Sequence, residues 1–135
     1  MIETNELQRI ETTQAPLPIG PYSQAVAAGN LVFCSGQIPL RPGESEISGT
    51  GAADQAEVVL ANLGAVLTAA RSSFRNVVKT TIFLTDMNDF AAVNAVYERF
   101  FEGSKPARST VAVSALPKGA RVEVEAVALV TTASD

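Results

Sequence analysis

Histidine is absent from this chain of 135 residues, tryptophan is absent as well, and Cys34 is the one cysteine. Without imidazole the sequence lacks the commonest general base and the commonest nitrogen ligand for metals. A serine nucleophile would have no histidine to activate it. A lone cysteine allows neither an intramolecular disulfide nor a multi-thiolate metal site within one chain, so no metal is expected and a reducing compartment fits. Basic charge is scarce too: ten lysines and arginines stand against fourteen acids, a net charge of -4. That leaves no electrostatic footprint for a phosphate backbone, and nucleic acid is not an expected partner. No apolar run approaches the roughly 20 residues that span a bilayer. The opening Met1-Ile2-Glu3-Thr4-Asn5-Glu6 carries acids and amides where a secretory signal carries basic and then apolar residues. The expectation is a soluble, cytoplasmic protein with no membrane partner.

Hydrophobic residues make up 47% of the chain and charged residues 18%, an ordinary globular balance. A chain of this length forms one domain, residues 1–135, and buries roughly two-thirds of its unfolded surface. Leu7 to Thr12 reads as a short strand, after which Pro16, Pro18, Gly20 and Pro21 impose an extended loop. Ser23 to Ala28 and Leu31 to Gln37 read as a hairpin turning at Gly29-Asn30. Pro39 to Thr50 is a surface loop.

Between Ala53 and Arg71, Ala56, Val59, Leu60, Leu63, Leu67 and Ala70 recur at helical spacing, opposite Asp54, Glu57 and Asn62. Val77 to Thr85 alternates like a half-buried strand. A second helix starts at an Asp86 or Asn88 cap and carries Phe90, Val93, Tyr97 and Phe100 on its buried side. Ser109 to Ser114 and Arg121 to Thr131 close the chain as strands. The order β-β-β-α-β-α-β-β predicts an α+β fold with both helices on one face of a mixed sheet. In the last strand Val122, Val124, Ala126, Ala128 and Val130 point one way, while Val127 and Leu129 share the other face with Glu123 and Glu125. Both faces need cover, and no third helix exists. Another subunit is the expected cover.

Chemistry concentrates in Pro106-Ala107-Arg108-Ser109-Thr110-Val111 and in Arg121-Val122-Glu123-Val124-Glu125. Arg108, at the mouth of its strand, reads either as a bidentate grip on a carboxylate or as a structural salt bridge to Glu123 or Glu125. The two glutamates, on one sheet face, read either as general base and electrostatic partner or as the lining of a wet subunit interface. Tyr22, in its Gly-Pro loop, either caps a small pocket or packs. Ser35 ends a strand beside Gly36, which permits close approach of backbone to a ligand. Asn94 either meets the sheet or faces solvent. Cys34, among apolar strand residues, reads as a buried structural thiol.

Taken together, Gly20-Pro21-Tyr22-Ser23-Gln24, Ser35-Gly36-Gln37-Ile38-Pro39, Val93-Asn94-Ala95-Val96-Tyr97, Pro106-Ala107-Arg108-Ser109 and Val122-Glu123-Val124-Glu125-Ala126 resemble the RidA (YjgF-like) family of enamine/imine deaminases. The likeness runs from about residue 10 to 130. It implies a chorismate-mutase-like fold and a homotrimer whose sheets form a central barrel, with sites in the clefts between subunits. By the same resemblance Arg108 matches the arginine that grips the substrate carboxylate, and Glu123 the acid that positions or activates water. Tyr22, Ser35, Gly36 and Asn94 match positions that line or support the pocket. Thr110 is a departure, because many close relatives carry cysteine there; a carboxylate contact from its backbone N–H survives that change, whereas a thiol role does not. The connection Glu102-Gly103-Ser104-Lys105 also looks shorter than in typical deaminases, which alters access to the pocket.

The substrates implied are small 2-imino and 2-enamino acids, hydrolysed to 2-keto acids and ammonia without metal or cofactor. A non-catalytic trimer binding keto acids or a protein through the same cleft is the competing expectation. Ribonuclease behaviour fits poorly with an acidic chain that lacks histidine.

Overall fold

A computed structural model describes residues 6–131. The opening residues read for a signal, and the two ends of the expected domain, lie outside the described residues. The elements are β1 (Leu7–Ile10), β2 (Ala25–Ala28), β3 (Leu31–Gln37), α1 (Ala52–Ala69), β4 (Val77–Leu84), α2 (Phe90–Phe101), β5 (Ala107–Ala112) and β6 (Val122–Leu129). They form one six-stranded mixed sheet in the order β1-β2-β3-β6-β4-β5. All pairings are antiparallel except β4 with β5, and α2 is the crossover that a parallel pair requires. The fold is α+β, with both helices on one face of the sheet, as the element order predicts.

The two periodicities explain the layering. In α1, Ala56, Val59, Leu60, Leu63, Val66 and Leu67 are buried, and the sheet supplies Val32, Ile82, Leu84, Val122, Val124, Ala126 and Ala128 from alternate positions. Gly29 turns the β2–β3 hairpin at φ 63°, where a side chain would be strained. The expected Asp86 or Asn88 cap does not start α2: Asp86 accepts from the Asn88 N–H as the cap of a short 3-10 turn, Met87–Asp89, and α2 follows from Asp89, whose side chain makes no capping bond. The alternation also leaves Phe33, Val111 and Leu129 exposed on the face away from the helices, and no element of the described chain covers it.

Asn62 corrects the helix reading. It is buried, not on the polar side of α1, and its amide donates to the carbonyls of Ile38 and Leu40 at 3.3 and 2.8 Å. An amide that can satisfy two loop carbonyls is cheap to bury, and hydrophobic spacing does not reveal such a partner. Gln24 plays the same part for the proline-rich loop, bonding Thr12, Ala15 and Pro16 backbone groups. Gln55 likewise accepts from the N–H of Arg121, the residue before β6.

Candidate functional site

The strand that carries Arg108 begins two residues before the expected start, so the arginine lies inside β5 and not at its mouth. In register it sits opposite Thr80 of β4, a buried residue of the helix-facing side, and its side chain runs beneath α2. One guanidinium nitrogen, Nη1, donates to Asn94 Oδ1 at 2.7 Å. The guanidinium carbon stands 5.0 Å from the ring centre of Tyr97 and 5.6 Å from that of Phe90, both within cation–π range. A cavity of about 300 Å³ opens here, lined by Asn94, Tyr97, Ser104, Lys105, Pro106 and Arg108 among others.

Arg108 makes no ion pair with either glutamate within the chain. The pairs among the described residues are Arg99–Glu57 and Arg121–Asp89. The reason is topological: Glu123 stands opposite Phe83 in register, on the face away from the helices, whereas Arg108 is on the helix face. The structural salt bridge therefore does not form. Asn94, left open between sheet and solvent, faces Arg108.

Thr110 follows Arg108 by two residues and shares its face. Its Oγ1 is buried without a hydrogen-bond partner among the described residues. The Val113 N–H donates to Leu84 O, so alternation along the strand turns the N–H of Thr110 toward the free edge of the sheet. That N–H is available to a ligand on the same edge as Arg108.

The remaining site residues gather around the β3–β6 pairing. Between Cys34 and Gln37 the β3–β6 register shifts, a bulge that contains Ser35 and Gly36. There the Glu123 side chain lies directly on Gly36: a Cβ at that position would collide with its carboxylate and stand 2.8 Å from Cδ. Burial first, and the Glu125 charge second, push the Glu123 carboxyl above its ordinary range. Ser35 Oγ donates to Ser23 O at 2.6 Å and its N–H to Gln24 O at 2.9 Å, which moors the loop bearing Tyr22 to β3. Tyr22 is about half exposed and lines a hollow of about 40 Å³ with Gly36, Pro16, Leu17 and Ile19. Cys34 is buried and its thiol is pushed up to about 12 by burial, which makes it unreactive at neutral pH.

Seven expected site residues thus form two groups. Arg108, Asn94 and Thr110 occupy the β5 edge under α2; Tyr22, Ser35, Gly36 and Glu123 occupy the β3–β6 bulge and its loop. Spacing puts Phe90 and Tyr97 on the buried side of α2; Tyr97 is buried there but Phe90 is more than a third exposed, and the contact of both rings with Arg108 is what spacing missed. A signal existed, since Phe90, Asn94 and Tyr97 stand at i, i+4 and i+7 and share a helical stripe interrupted by one amide.

Comparison with known proteins matches residues 12–130 to the model of the family described as Endoribonuclease L-PSP. The chain is 50% identical over 120 residues to a 2-iminobutanoate/2-iminopropanoate deaminase of Mus musculus, covering 89% of each chain. It is 48% identical over 128 residues to the Homo sapiens protein of the same name, covering 93% of each. Among solved structures, E. coli TdcF with bound serine superposes with a TM-score of 0.86 at 45% identity, over 92% of this chain and 99% of that one.

Proposed function

The chain belongs to the endoribonuclease L-PSP family, which is the YjgF/RidA family, and from that premise we propose that it is a deaminase hydrolysing 2-imino acids and their 2-enamino tautomers to 2-keto acids and ammonia. One observation carries the reading: a half-buried guanidinium, open to a cavity, held by an amide and two aromatic rings with no carboxylate of its own. Such a group is ready for a carboxylate from outside the chain. Relatives named as imine deaminases, at about half identity over most of the chain, support the activity, and serine bound to TdcF is a ligand with an α-carboxylate.

In the proposed reaction Arg108 and the Thr110 N–H hold the substrate carboxylate, which fixes the adjacent C=N carbon. Glu123 orients a water and takes its proton as oxygen bonds to that carbon. The C=N π pair moves to the nitrogen, which takes the proton that Glu123 received; the carbinolamine hydroxyl then gives its proton to the amine as the C–N bond breaks, and ammonia leaves a 2-keto acid. No electron acceptor or donor is needed. Because Arg108 and Glu123 lie on opposite faces of one sheet, a site using both draws the arginine from one subunit and the glutamate from another. A homotrimer with sites between subunits meets that demand, and closing its sheets around a central axis would also cover Phe33, Val111 and Leu129. Tyr22, Ser35 and Gly36 then join the site from the glutamate side.

Endoribonuclease activity, printed in the family's description, is not carried to this chain, whose net charge of -4 and lack of histidine suit neither RNA affinity nor acid–base cleavage. The proposed setting is cytoplasmic clearance of reactive imines. The test couples the purified protein to an amino acid oxidase and follows imine lifetime. The protein shortens it, Arg108→Ala abolishes the effect, and Glu123→Ala impairs it with the oligomer intact. An imine lifetime that the protein leaves unchanged refutes the reading.

A further inference from the structure

A guanidinium can be fixed in place by an acid or by neutral groups, and the choice decides what it can still bind. An acidic partner occupies the hydrogen-bonding edge and cancels the charge, so an incoming carboxylate must first break an ion pair. Arg108 is fixed by neutral groups. Asn94 Oδ1 takes one donor at 2.7 Å and leaves the other N–H groups of the fork unused; the Tyr97 and Phe90 rings attract the cation without neutralising it.

The Tyr97 ring is itself pinned. Its hydroxyl is 2.7 Å from Oγ1 of Thr80, and Thr80, fully buried, is the register partner of Arg108 on β4. Its ring stacks on Phe101 with centroids 4.2 Å apart. Strand, helix and arginine therefore close a triangle in which the Thr80 hydroxyl sets the tilt of Tyr97 and the Tyr97 face sets the guanidinium. Phe90 is a looser neighbour, more than a third exposed.

We propose that Tyr97, anchored by Thr80, is the positioning residue for Arg108, holding the guanidinium charged, unneutralised and turned toward the substrate carboxylate. The inference rests on Arg108 as the carboxylate-binding group of the proposed reaction. It makes the ring face the active feature and the hydroxyl only its anchor.

The test measures 2-oxobutanoate binding to the full-length protein by calorimetry, beside kcat and KM for imine hydrolysis. Tyr97→Leu keeps apolar bulk without a π face, and its affinity falls about tenfold, with KM raised and kcat retained, because a grip made equally in ground and transition states is lost. Tyr97→Phe keeps the face and loses only the bond to Thr80, so its affinity falls by about threefold, less than in Tyr97→Leu. Tyr97→Met gives the same comparison if the leucine variant does not fold. Parent-like affinity in Tyr97→Leu and Tyr97→Met overturns the proposal, as does an equal loss in Tyr97→Phe. Should no variant, the parent included, hydrolyse imines while keto-acid affinity follows the stated pattern, the positioning role stands and the deaminase reading fails.

Discussion

Replacing Gly36 by alanine isolates the placement of one carboxylate. The backbone at Gly36 is not among the positive-φ positions, so alanine meets no conformational penalty there. What it meets is Glu123. A Cβ would collide with the carboxylate oxygen and stand 2.8 Å from Cδ and 3.0 Å from Cγ, so Cδ must retreat by about 0.6 Å to reach ordinary contact and the oxygen by more. The obstacle is the end of a flexible side chain, so the stability cost is small, within about 1 kcal/mol, and is partly offset by the lower chain entropy of unfolded alanine. Catalysis is less forgiving. Misplacing a reacting group by about 1 Å costs on the order of 100-fold, equivalent to about 2.7 kcal/mol in barrier height.

The assay is kcat/KM for imine hydrolysis in Gly36→Ala, Glu123→Ala and the double variant, with thermal unfolding of each. Gly36→Ala loses about 100-fold with a near-parental Tm, and Glu123→Ala loses roughly 10²- to 10⁴-fold. The double variant should match Glu123→Ala alone, because shortening residue 123 vacates the space that a Cβ at 36 needs. Losses that multiply in the double variant, or parental activity in Gly36→Ala, refute the idea that Gly36 acts by making room for Glu123.

The pH dependence carries a sign. Glu123 must be ionised to take a proton, so kcat/KM falls as pH drops through a carboxyl held above the usual range by burial and then by Glu125. Glu125→Gln removes the like charge and moves that acidic limb to lower pH; a limb that stays in place refutes the coupling. The same upward shift makes folding less favourable as pH rises from the ordinary glutamate range through the raised one, and Glu125→Gln lessens that loss in urea unfolding. Thr110→Val removes a buried hydroxyl that has no partner among the described residues, so stability holds or rises by up to about 1 kcal/mol. Imine turnover persists if the backbone N–H is the working group; a collapse in kcat/KM assigns the hydroxyl a role.

Much of the fold was legible because local periodicity encodes it. The stripe of Ala56, Val59, Leu60, Leu63 and Leu67 and the alternation of Val122, Val124, Ala126 and Ala128 place their elements within two residues of those observed. Both faces of β6 were also readable as apolar, and Phe33 and Leu129 are indeed left exposed on the face without helices. Polar side chains were harder to read. Asn62, Gln24 and Gln55 are buried because each finds backbone groups distant in sequence, and spacing along one element cannot reveal that.

What the sequence by itself determined is the order of elements and which side chains are available for chemistry. An acidic chain without histidine, with one arginine after Pro-Ala and two glutamates in an alternating strand, is a matter of composition and spacing. Tertiary structure alone decided which of those groups meet. Register places Arg108 against Thr80 and under α2, and Glu123 on the opposite face over Gly36. The period-2 alternation of each strand is local, but which strands are neighbours is a property of the whole sheet, and that separates arginine and glutamate within one chain.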